Sequence, residues 1–235
     1  WEPPVRRQSD WMAAYAEALA GLEARGLVYP CFCTRKEIAA EISRAAAAPH
    51  GPAEGLYPGT CRGRSQPRDG DAAVRVVTDE SLIEFDDRLQ GHQSQCLAAE
   101  SGDFIVWRRD GLVAYHLAVV VDDHRQGVTD IVRGIDLMDS TPRQVWLQRL
   151  LGYATPGYAH IPVATWDDGS KLSKATHAPA LPDDTPGPAL ARALAVLGQS
   201  PPDALARATC AEIWAWAVAN WDLSPLRGRT AVPGG

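Results

Sequence analysis

The chain has 235 residues, of which 46% are hydrophobic and 22% charged, with a formal net charge of -6 at pH 7. This length allows one large domain or two modest ones, and the composition is ordinary for a globular protein. No apolar run reaches membrane-spanning length, and no basic segment followed by an apolar stretch opens the chain. We therefore expect neither a transmembrane helix nor a secretory signal. The acidic balance does not indicate a nucleic-acid partner, and it does not exclude one, because binding depends on a local basic face.

The N-terminal part of the chain contains two helical patterns joined by an extended segment. Ser9 or Asp10 is the predicted N-cap of the first helix, because either side chain can accept a hydrogen bond from a backbone N–H. Residues 27–33 are short and apolar, which favours an extended segment. Thr34 and Glu37 have the spacing of a capping box and predict the start of the second helix.

Three of the 5 cysteines lie close together in the sequence. Cys31 and Cys33 are separated by one residue, so their side chains point the same way on an extended segment. Cys61 lies near the end of a long loop rich in Pro, Gly and Arg, residues 48–71, which needs a clamp to be ordered. An odd number of cysteines with this clustering indicates a metal site in a reducing compartment, so we expect a cytoplasmic protein.

Three sulfurs and one oxygen or nitrogen would complete a tetrahedral zinc shell around this loop. Tyr57 lies four residues before Cys61, and His50 is a rival ligand from the same loop. Such a site would be structural, because it has no open position for catalysis. The alternative interpretation is three unrelated buried thiols, since Cys-x-Cys is less specific than paired Cys-x-x-Cys.

Short strands and helices alternate in the middle of the chain, which predicts an α/β layer with a parallel sheet. Residues 115–124 are apolar and then acidic, and periodicity leaves a strand and a buried helix equally open. Strands are predicted at residues 72–77, 82–85, 104–107, 128–133 and 160–165, and a helix at 140–151.

The residues after 186 are rich in Ala and Leu and predict helices. Two apolar stripes at helical spacing are predicted to face a core. They are formed by Leu190, Leu194 and Leu197, and by Ile213, Trp214, Ala217 and Trp221. Residues 227–235 are predicted to be a loose tail.

Lys171-Leu172-Ser173-Lys174, here called the lysine loop, follows a turn at Asp168-Gly169 and is therefore predicted to be mobile. Two ammonium groups with a hydroxyl between them can surround a triphosphate and stabilise the charge that develops during phosphoryl chemistry. Taken by itself, such a short string is more often a solvated lysine pair.

A longer series of segments carries a family resemblance. It runs through residues 115–123, 127–134, 140–144 and 160–162 to the lysine loop. Together these segments resemble the class I glutamyl- and glutaminyl-tRNA synthetase family. The lysine loop is similar to the lysine-serine-lysine signature of that family, with Leu172 at the usual Met position and Ala175 at the position of the usual final Ser.

The resemblance implies an α/β class I synthetase-type catalytic domain of Rossmann-like fold, incomplete at its N-terminus. It also implies a zinc-bearing insertion and a short C-terminal helical region. The expected division is into a remainder of the first Rossmann half, the zinc-bearing insertion or acceptor-like subdomain, the second Rossmann half with the lysine loop, and the helical region. The corresponding ranges are 1–30, 31–110, 111–185 and 186–235.

Two features are most similar to the branch of the family that modifies queuosine in tRNA(Asp). The first is Cys31 and Cys33 with Tyr57 and Cys61, which match the zinc ligands of that branch. The second is that only about sixty residues follow Lys174 in a chain of 235, which is short for an anticodon-binding domain. The resemblance therefore implies a structural Zn²⁺ ion and a monomeric enzyme.

The implied activity is ATP-dependent activation of glutamate, with Mg²⁺, followed by transfer to the queuosine base of tRNA(Asp). Tyr115 and Arg133 would bind glutamate, and Arg suits a carboxylate because its planar fork can pair with both oxygens. Lys174 would contact ATP, assisted by Lys171 and Ser173. The implied partners are glutamate, ATP and queuosine-bearing tRNA(Asp), without a membrane.

The chain departs from the family in one large respect. Its N-terminal part contains no counterpart of the family's first, histidine-rich ATP signature. We therefore expect an N-terminally incomplete segment that has little or no activity by itself. Two rival interpretations are a fragment of a discriminating glutamyl-tRNA synthetase and a non-catalytic, zinc-stabilised tRNA-binding relative. A basic stripe that could contact tRNA phosphates comprises Arg62, Arg64 and Arg68.

Overall fold

A computed structural model describes residues 7–46, 56–63, 71–180 and 186–234. His50, Arg64 and Arg68 lie outside these described residues. The chain forms two compact units. The first comprises Trp1–Phe85, Ser94–Thr129 and Asp139–Pro156, and the second comprises Asp86–Gln93, Asp130–Met138 and Gly157–Gly235. The division into four parts expected from the sequence stays a prediction.

Helices are interspersed with strands along the described residues. In chain order they are α1 Met12–Glu23, β1 Val28–Cys31, α2 Arg35–Ala46, β2 Ala73–Val76, β3 Leu82–Asp87, β4 Gly91–Cys96, α3 Leu97–Glu100, β5 Phe104–Trp107, α4 Tyr115–Gln126, β6 Asp130–Gly134, α5 Thr141–Leu151, β7 Gly157–Ile161, β8 Val163–Thr165, α6 Pro186–Val196, α7 Cys210–Asn220 and β9 Ala231–Pro233.

The helical core of the first unit forms where α1 packs against α4 and α5. The buried face of α1 presents Tyr15, whose hydroxyl donates to Asp122 Oδ1 on α4 at 2.6 Å. The predicted N-cap of α1 is wrong. A 3-10 turn at Gln8–Trp11 precedes the helix, and the hydroxyl of Ser9 donates to Asp10 Oδ1 instead of capping α1.

Residues 115–126 form a helix, which resolves the alternative that periodicity left open. The buried positions of α4 follow helical spacing: Leu117, Ala118, Val120 and Val121. Gly127 ends the helix in the left-handed conformation, with φ of 67°. The predicted helix at 140–151 is also confirmed, with Pro142 in its first turn and Gly152 after its end.

A three-stranded antiparallel sheet in the first unit has the order β1-β2-β5. It places Cys31 at the end of β1, opposite Ala73 of β2. The predicted capping box then starts α2, because Thr34 N–H donates to Glu37 Oε2 at 2.7 Å and Glu37 N–H donates to Thr34 Oγ1 at 3.2 Å. Helix α2 therefore begins two residues after Cys33.

A second sheet has the strand order β4-β3-β7-β6. The pairs β3–β7 and β6–β7 are parallel, which confirms the predicted parallel layer. Strand β4, Gly91–Cys96, has no apolar alternation and was not predicted. The single strand predicted at 160–165 is divided into β7 and β8 at Pro162, which has no N–H to donate to a sheet.

The C-terminal residues correct two predictions. In α7, Ile213 and Ala217 are buried, but Trp214 is 56% exposed and lies off the packed face. Trp221 follows the end of the helix and is 41% exposed. The predicted loose tail is wrong, because β9 pairs in parallel with β8 and buries Val232. No helix within the described residues is both long and apolar enough to cross a membrane.

Candidate functional site

The first candidate site is a cluster of three cysteines and one tyrosine in the first unit, here called the cysteine cluster. The sulfurs of Cys33 and Cys61 lie 3.4 Å apart. The Tyr57 hydroxyl lies 3.3 Å from Cys31 Sγ and 4.0 Å from Cys33 Sγ. The ligand atoms of Cys31, Cys33 and Cys61 all lie within 4.8 Å of one another. All four predicted ligand side chains are therefore brought together.

The spacing of these atoms fits a small tetrahedral ion. With Zn–S bonds of about 2.3 Å, neighbouring sulfurs of a tetrahedron are about 3.8 Å apart, close to the Cys33–Cys61 separation of 3.4 Å. Cys31, Cys61 and Tyr57 are buried, so solvent has little access to their ligand atoms. Soft thiolates with one oxygen are a donor set suited to Zn²⁺.

Charge repulsion within the cluster also favours a bound cation. Burial and the adjacent Cys61 sulfur raise the pKa of Cys33 to about 11. Burial and the hydrogen bond to Cys31 likewise raise the pKa of Tyr57. Several anions this close repel one another, and a dication supplies the opposite charge that permits them to ionise together.

Arg75 lies directly beside the cluster and was not singled out from the sequence. Its Nε donates to Cys31 Sγ at 3.3 Å, and its Nη1 donates to the carbonyl of Asp103 at 2.7 Å. The guanidinium carbon lies 3.7 Å from the centroid of the Tyr57 ring. Burial raises the pKa of Cys31, but the hydrogen bonds from Tyr57 and Arg75 outweigh it, so the pKa is lowered overall.

The second candidate site lies in the second unit, around the lysine loop. The predicted turn is confirmed, because Trp166 N–H donates to the carbonyl of Ser170 at 2.8 Å and Gly169 adopts φ of +82°. Leu172 N–H donates to the carbonyl of Ala164, which attaches the loop to β8. Lys174 is exposed and begins a 3-10 turn, Lys174–Thr176.

Thr176 holds the lysine loop together and was also missed by sequence reasoning. Its hydroxyl donates to the carbonyl of Lys171 at 2.6 Å and accepts from Ser173 N–H at 3.0 Å. These contacts close the loop between its first and third residues. The family usually has a hydroxyl residue where this chain has Ala175, and here the neighbouring threonine hydroxyl contacts the loop.

Asp136 links the lysine loop to the strand that bears Arg133. The ammonium of Lys171 lies 2.5 Å from Asp136 Oδ2 and lowers the pKa of that carboxyl group. Asp136 follows β6 by two residues. A Cβ at Gly134 would collide with the Asp136 carboxylate, so that side chain would have to shift to admit any other residue there. Arg133 and Lys171 are thus connected through one short turn at the end of β6.

Arg133 pairs with a buried histidine on the neighbouring strand. In the parallel register of β6 and β7, Arg133 lies opposite His160. Arg133 Nε donates to His160 Nε2 at 3.0 Å, and His160 Nδ1 lies 2.6 Å from Asp87 Oδ2. The side chains of His160 and Asp87 are both 0% exposed.

Tyr115, the other predicted glutamate ligand, belongs to the first unit. It begins α4 and is 49% exposed. Arg62, from the predicted basic stripe, also belongs to the first unit and lies 3.5 Å from Asp103 Oδ1 as an ion pair.

Comparison with known proteins identifies the class. The model of the family described as tRNA synthetases class I (E and Q), catalytic domain, matches residues 1–211 of the 235. The chain therefore belongs to the catalytic-domain family of the class I tRNA synthetases for glutamate and glutamine. This family consists of ligases, which agrees with the enzyme class and fold expected from the resemblance.

Two relatives indicate to which branch of the family the chain is similar. The chain is 47% identical over 233 residues to the glutamyl-Q tRNA(Asp) synthetase of Pseudomonas fluorescens, covering 99% of this chain and 74% of that protein. It is 50% identical over 236 residues to the glutamyl-Q tRNA(Asp) synthetase of Dechloromonas aromatica, covering 99% of this chain and 77% of that protein. These similarities agree with the branch to which the cysteine cluster pointed.

Solved structures confirm the fold. A glutamate tRNA ligase from Elizabethkingia meningosepticum, crystallised with its amino acid, matches with a TM-score of 0.74 and 21% identity, covering 99% of this chain and 53% of that chain. A glutamate-tRNA synthetase from Elizabethkingia anophelis matches with a TM-score of 0.72 and 22% identity, covering 96% and 51%. The chain thus spans about half the length of these two enzymes.

Proposed function

We propose that the full-length protein containing this chain activates glutamate with ATP and transfers it to the queuosine base of tRNA(Asp). The observation that carries the proposal is the position of two cationic groups in the second unit. Arg133 and Lys171 lie at one end of the parallel strands and are linked through Asp136. Ligands of open α/β sheets bind at the carboxyl ends of parallel strands. The proposed acceptor follows from the relatives, which are glutamyl-Q tRNA(Asp) synthetases.

In the first step, an oxygen of the glutamate α-carboxylate attacks the α-phosphorus of ATP. The bond to the bridging oxygen breaks, pyrophosphate leaves, and glutamyl-adenylate forms. Arg133 would bind and orient glutamate as a fixed, permanently charged partner of a carboxylate. Lys171, Ser173 and Lys174 would contact the phosphates, with Mg²⁺ as counter-ion, and stabilise charge that develops in the transition state.

In the second step, a nucleophilic oxygen of the acceptor attacks the activated carbonyl carbon, and AMP leaves. Tyr115 would supply a directional hydroxyl to glutamate. Zinc would be held by Cys31, Cys33, Tyr57 and Cys61. With four protein ligands it would take no part in these steps, and its role would be to tie residues 56–63 to the end of β1.

The experiment that tests this proposal uses the full-length protein with purified tRNA(Asp), with and without queuosine. We expect glutamate-dependent pyrophosphate exchange and labelling of only the queuosine-bearing tRNA by radioactive glutamate. Equal labelling of both tRNAs, or labelling that is lost when the 3′-terminal nucleoside is oxidised, would instead favour an ordinary glutamyl-tRNA synthetase. Binding of tRNA without any exchange would favour the non-catalytic relative.

We further propose that the protein acts as a monomer in the cytoplasm, where ATP and tRNA are available. Light scattering on the eluate of a gel-filtration column measures the mass directly. A species of twice the chain mass at micromolar concentration would contradict the monomer.

A further inference from the structure

A buried aspartate and histidine in the second unit lie behind Arg133. Asp87 ends β3, His160 lies in β7 and Arg133 lies in β6, so three neighbouring strands each contribute one residue. The strand pairs are β3–β7 and β6–β7, both parallel. The guanidinium of Arg133 also lies 5.7 Å from the centroid of the buried Tyr158 ring. None of the motifs in the sequence draws attention to Asp87.

The hydrogen-bond partners determine which nitrogen of His160 carries the proton. Arg133 has only donors, so its Nε–H requires His160 Nε2 to be the acceptor at 3.0 Å. The proton of the neutral ring must then be on Nδ1, where it donates to Asp87 Oδ2 at 2.6 Å. Each hydrogen bond therefore has a fixed direction: the guanidinium donates to the imidazole, and the imidazole donates to the carboxylate.

The surrounding charges favour this neutral imidazole. Burial and the adjacent Arg133 lower the pKa of His160, although Asp87 acts in the opposite direction. Burial raises the pKa of Asp87, but hydrogen bonds from His160, Gln90 and Leu89 outweigh it and lower the pKa overall. The arrangement is therefore an anionic carboxylate, a neutral imidazole and a cationic guanidinium.

Asp87 is itself held firmly by the backbone. Its Oδ1 accepts from Leu89 N–H at 3.0 Å, from Gln90 N–H at 2.9 Å and from His160 N–H at 3.2 Å. These contacts fix the carboxylate at the turn between β3 and β4. The other oxygen, Oδ2, faces the imidazole. Oδ2 also accepts from His160 N–H, at 3.1 Å, so both carboxylate oxygens contact the backbone of His160, while the turn uses Oδ1 and the imidazole uses Oδ2.

We propose that Asp87 and His160 are positioning residues that orient the Arg133 guanidinium for the carboxylate of the amino-acid substrate. Because Nε–H is directed at His160, a two-point contact with a carboxylate would use the edge formed by the terminal nitrogens. The inference rests on the proposed role of Arg133 in glutamate binding. It adds two residues that affect glutamate binding by orienting Arg133 and that have no role in ATP binding.

Asp87→Asn is the sharpest test, because it changes one atom. The retained Oδ1 keeps its contacts with Leu89, Gln90 and His160 N–H, whereas the new amide nitrogen replaces Oδ2, gives up its own 3.1 Å contact with His160 N–H and would donate to His160 Nδ1. The imidazole proton would then move to Nε2 and oppose the Nε–H of Arg133. In the full-length protein, we expect the KM for glutamate in pyrophosphate exchange to rise about 10- to 100-fold, with the KM for ATP changed less than about twofold.

A second variant pair separates positioning from folding. His160→Gln keeps an acceptor that can reach Arg133, whereas His160→Leu has none. We expect the glutamine variant to retain a lower KM for glutamate than the leucine variant. The matched control is Asp86→Asn, which alters an exposed aspartate that contacts His92 Nδ1 at 3.0 Å. This surface pair has the same chemistry, and we expect its loss to leave both KM values unchanged.

The tautomer is measured independently of activity by long-range ¹H–¹⁵N spectra of the imidazole ring. We expect the Nδ1–H form of His160 in the wild type and the Nε2–H form in Asp87→Asn. An imidazolium or an Nε2–H ring in the wild type overturns the inference, as does an equal rise in both KM values in Asp87→Asn. If the wild type shows the expected tautomer but no glutamate-dependent exchange, the proposed function fails and so does the substrate role of these residues.

Discussion

Replacing Arg75 with Met is expected to weaken zinc binding at the cysteine cluster about 10- to 100-fold. Arg75 is 7% exposed and its Nε donates to Cys31 Sγ at 3.3 Å. Its guanidinium also lies over the ring of Tyr57. A zinc ion held by three thiolates and one tyrosine has a net negative charge. A buried cation beside it therefore stabilises the loaded site more than the thiols without the metal.

The magnitude follows from the contact that is lost. A hydrogen bond to a charged group contributes about 1.5–3 kcal/mol. Since about 1.4 kcal/mol corresponds to a factor of ten in an equilibrium constant, losing the Arg75–Cys31 contact gives a change of one to two orders of magnitude. Arg75→Lys is expected to be intermediate, because it keeps the charge but loses the planar fork that contacts both Cys31 and Asp103.

The assay is competition for zinc with a chromophoric chelator, followed by the sulfur-to-cobalt charge-transfer absorption of the Co²⁺-substituted protein. Affinity is the informative measurement, because losing the contact with the Asp103 carbonyl would lower stability with or without metal. Arg108→Met is the matched control, since Arg108 is an exposed arginine that pairs with Asp110. A metal affinity of Arg75→Met within twofold of the wild type would refute the reasoning.

Three further predictions concern the second unit. Lys171→Met should lower kcat for pyrophosphate exchange about 100-fold or more, because it removes a cation from the phosphate site. Thr176→Val should raise the KM for ATP about three- to tenfold, since the loop loses the hydroxyl that joins Lys171 to Ser173. The free energy of unfolding should fall as the pH drops below 6.5, the ordinary pKa of histidine. The reason is that burial lowers the pKa of His160 in the folded protein, so the unfolded chain binds a proton at this residue at a higher pH than the folded chain does. Urea unfolding across that range should show a flatter pH dependence for His160→Gln, and an unchanged slope would contradict this assignment.

The parts of the fold that sequence predicted well are those with local causes. The capping box at Thr34 and Glu37 and the helix that Gly152 ends depend on residues a few positions apart. Two of the errors have non-local causes. Strand β9 exists because residues 231–233 pair with β8 far away in the sequence, and nothing in their composition announces that partner. The polar strand β4 is likewise stabilised by a neighbour and not by its own alternation.

The candidate sites likewise contain residues that a local motif predicts and residues that only tertiary contacts reveal. The lysine loop and the Cys/Tyr pattern are short motifs, so their chemistry can be predicted from spacing, and the structure brings the four cluster residues together. Arg75 and Thr176 could not be found by this route. Arg75 lies 44 positions from Cys31, and the two side chains meet only because β1 and β2 are antiparallel neighbours in the sheet. Nothing in the sequence around Thr176 distinguishes it from any other threonine in a loop.

Asp87 and His160 show why positioning residues are harder to predict than the groups they serve. They are 73 positions apart, and their contact depends on β3 and β7 being parallel neighbours. A side chain that binds substrate must have particular chemistry, so its motif is recognisable in the sequence. A side chain that orients it needs only the right position, and an aspartate at the end of a strand is not distinctive in a sequence. The register of β6 and β7 places His160 opposite Arg133, so Arg133 Nε–H donates to His160 Nε2. That nitrogen is free to accept because the imidazole proton is on Nδ1, where it donates to Asp87.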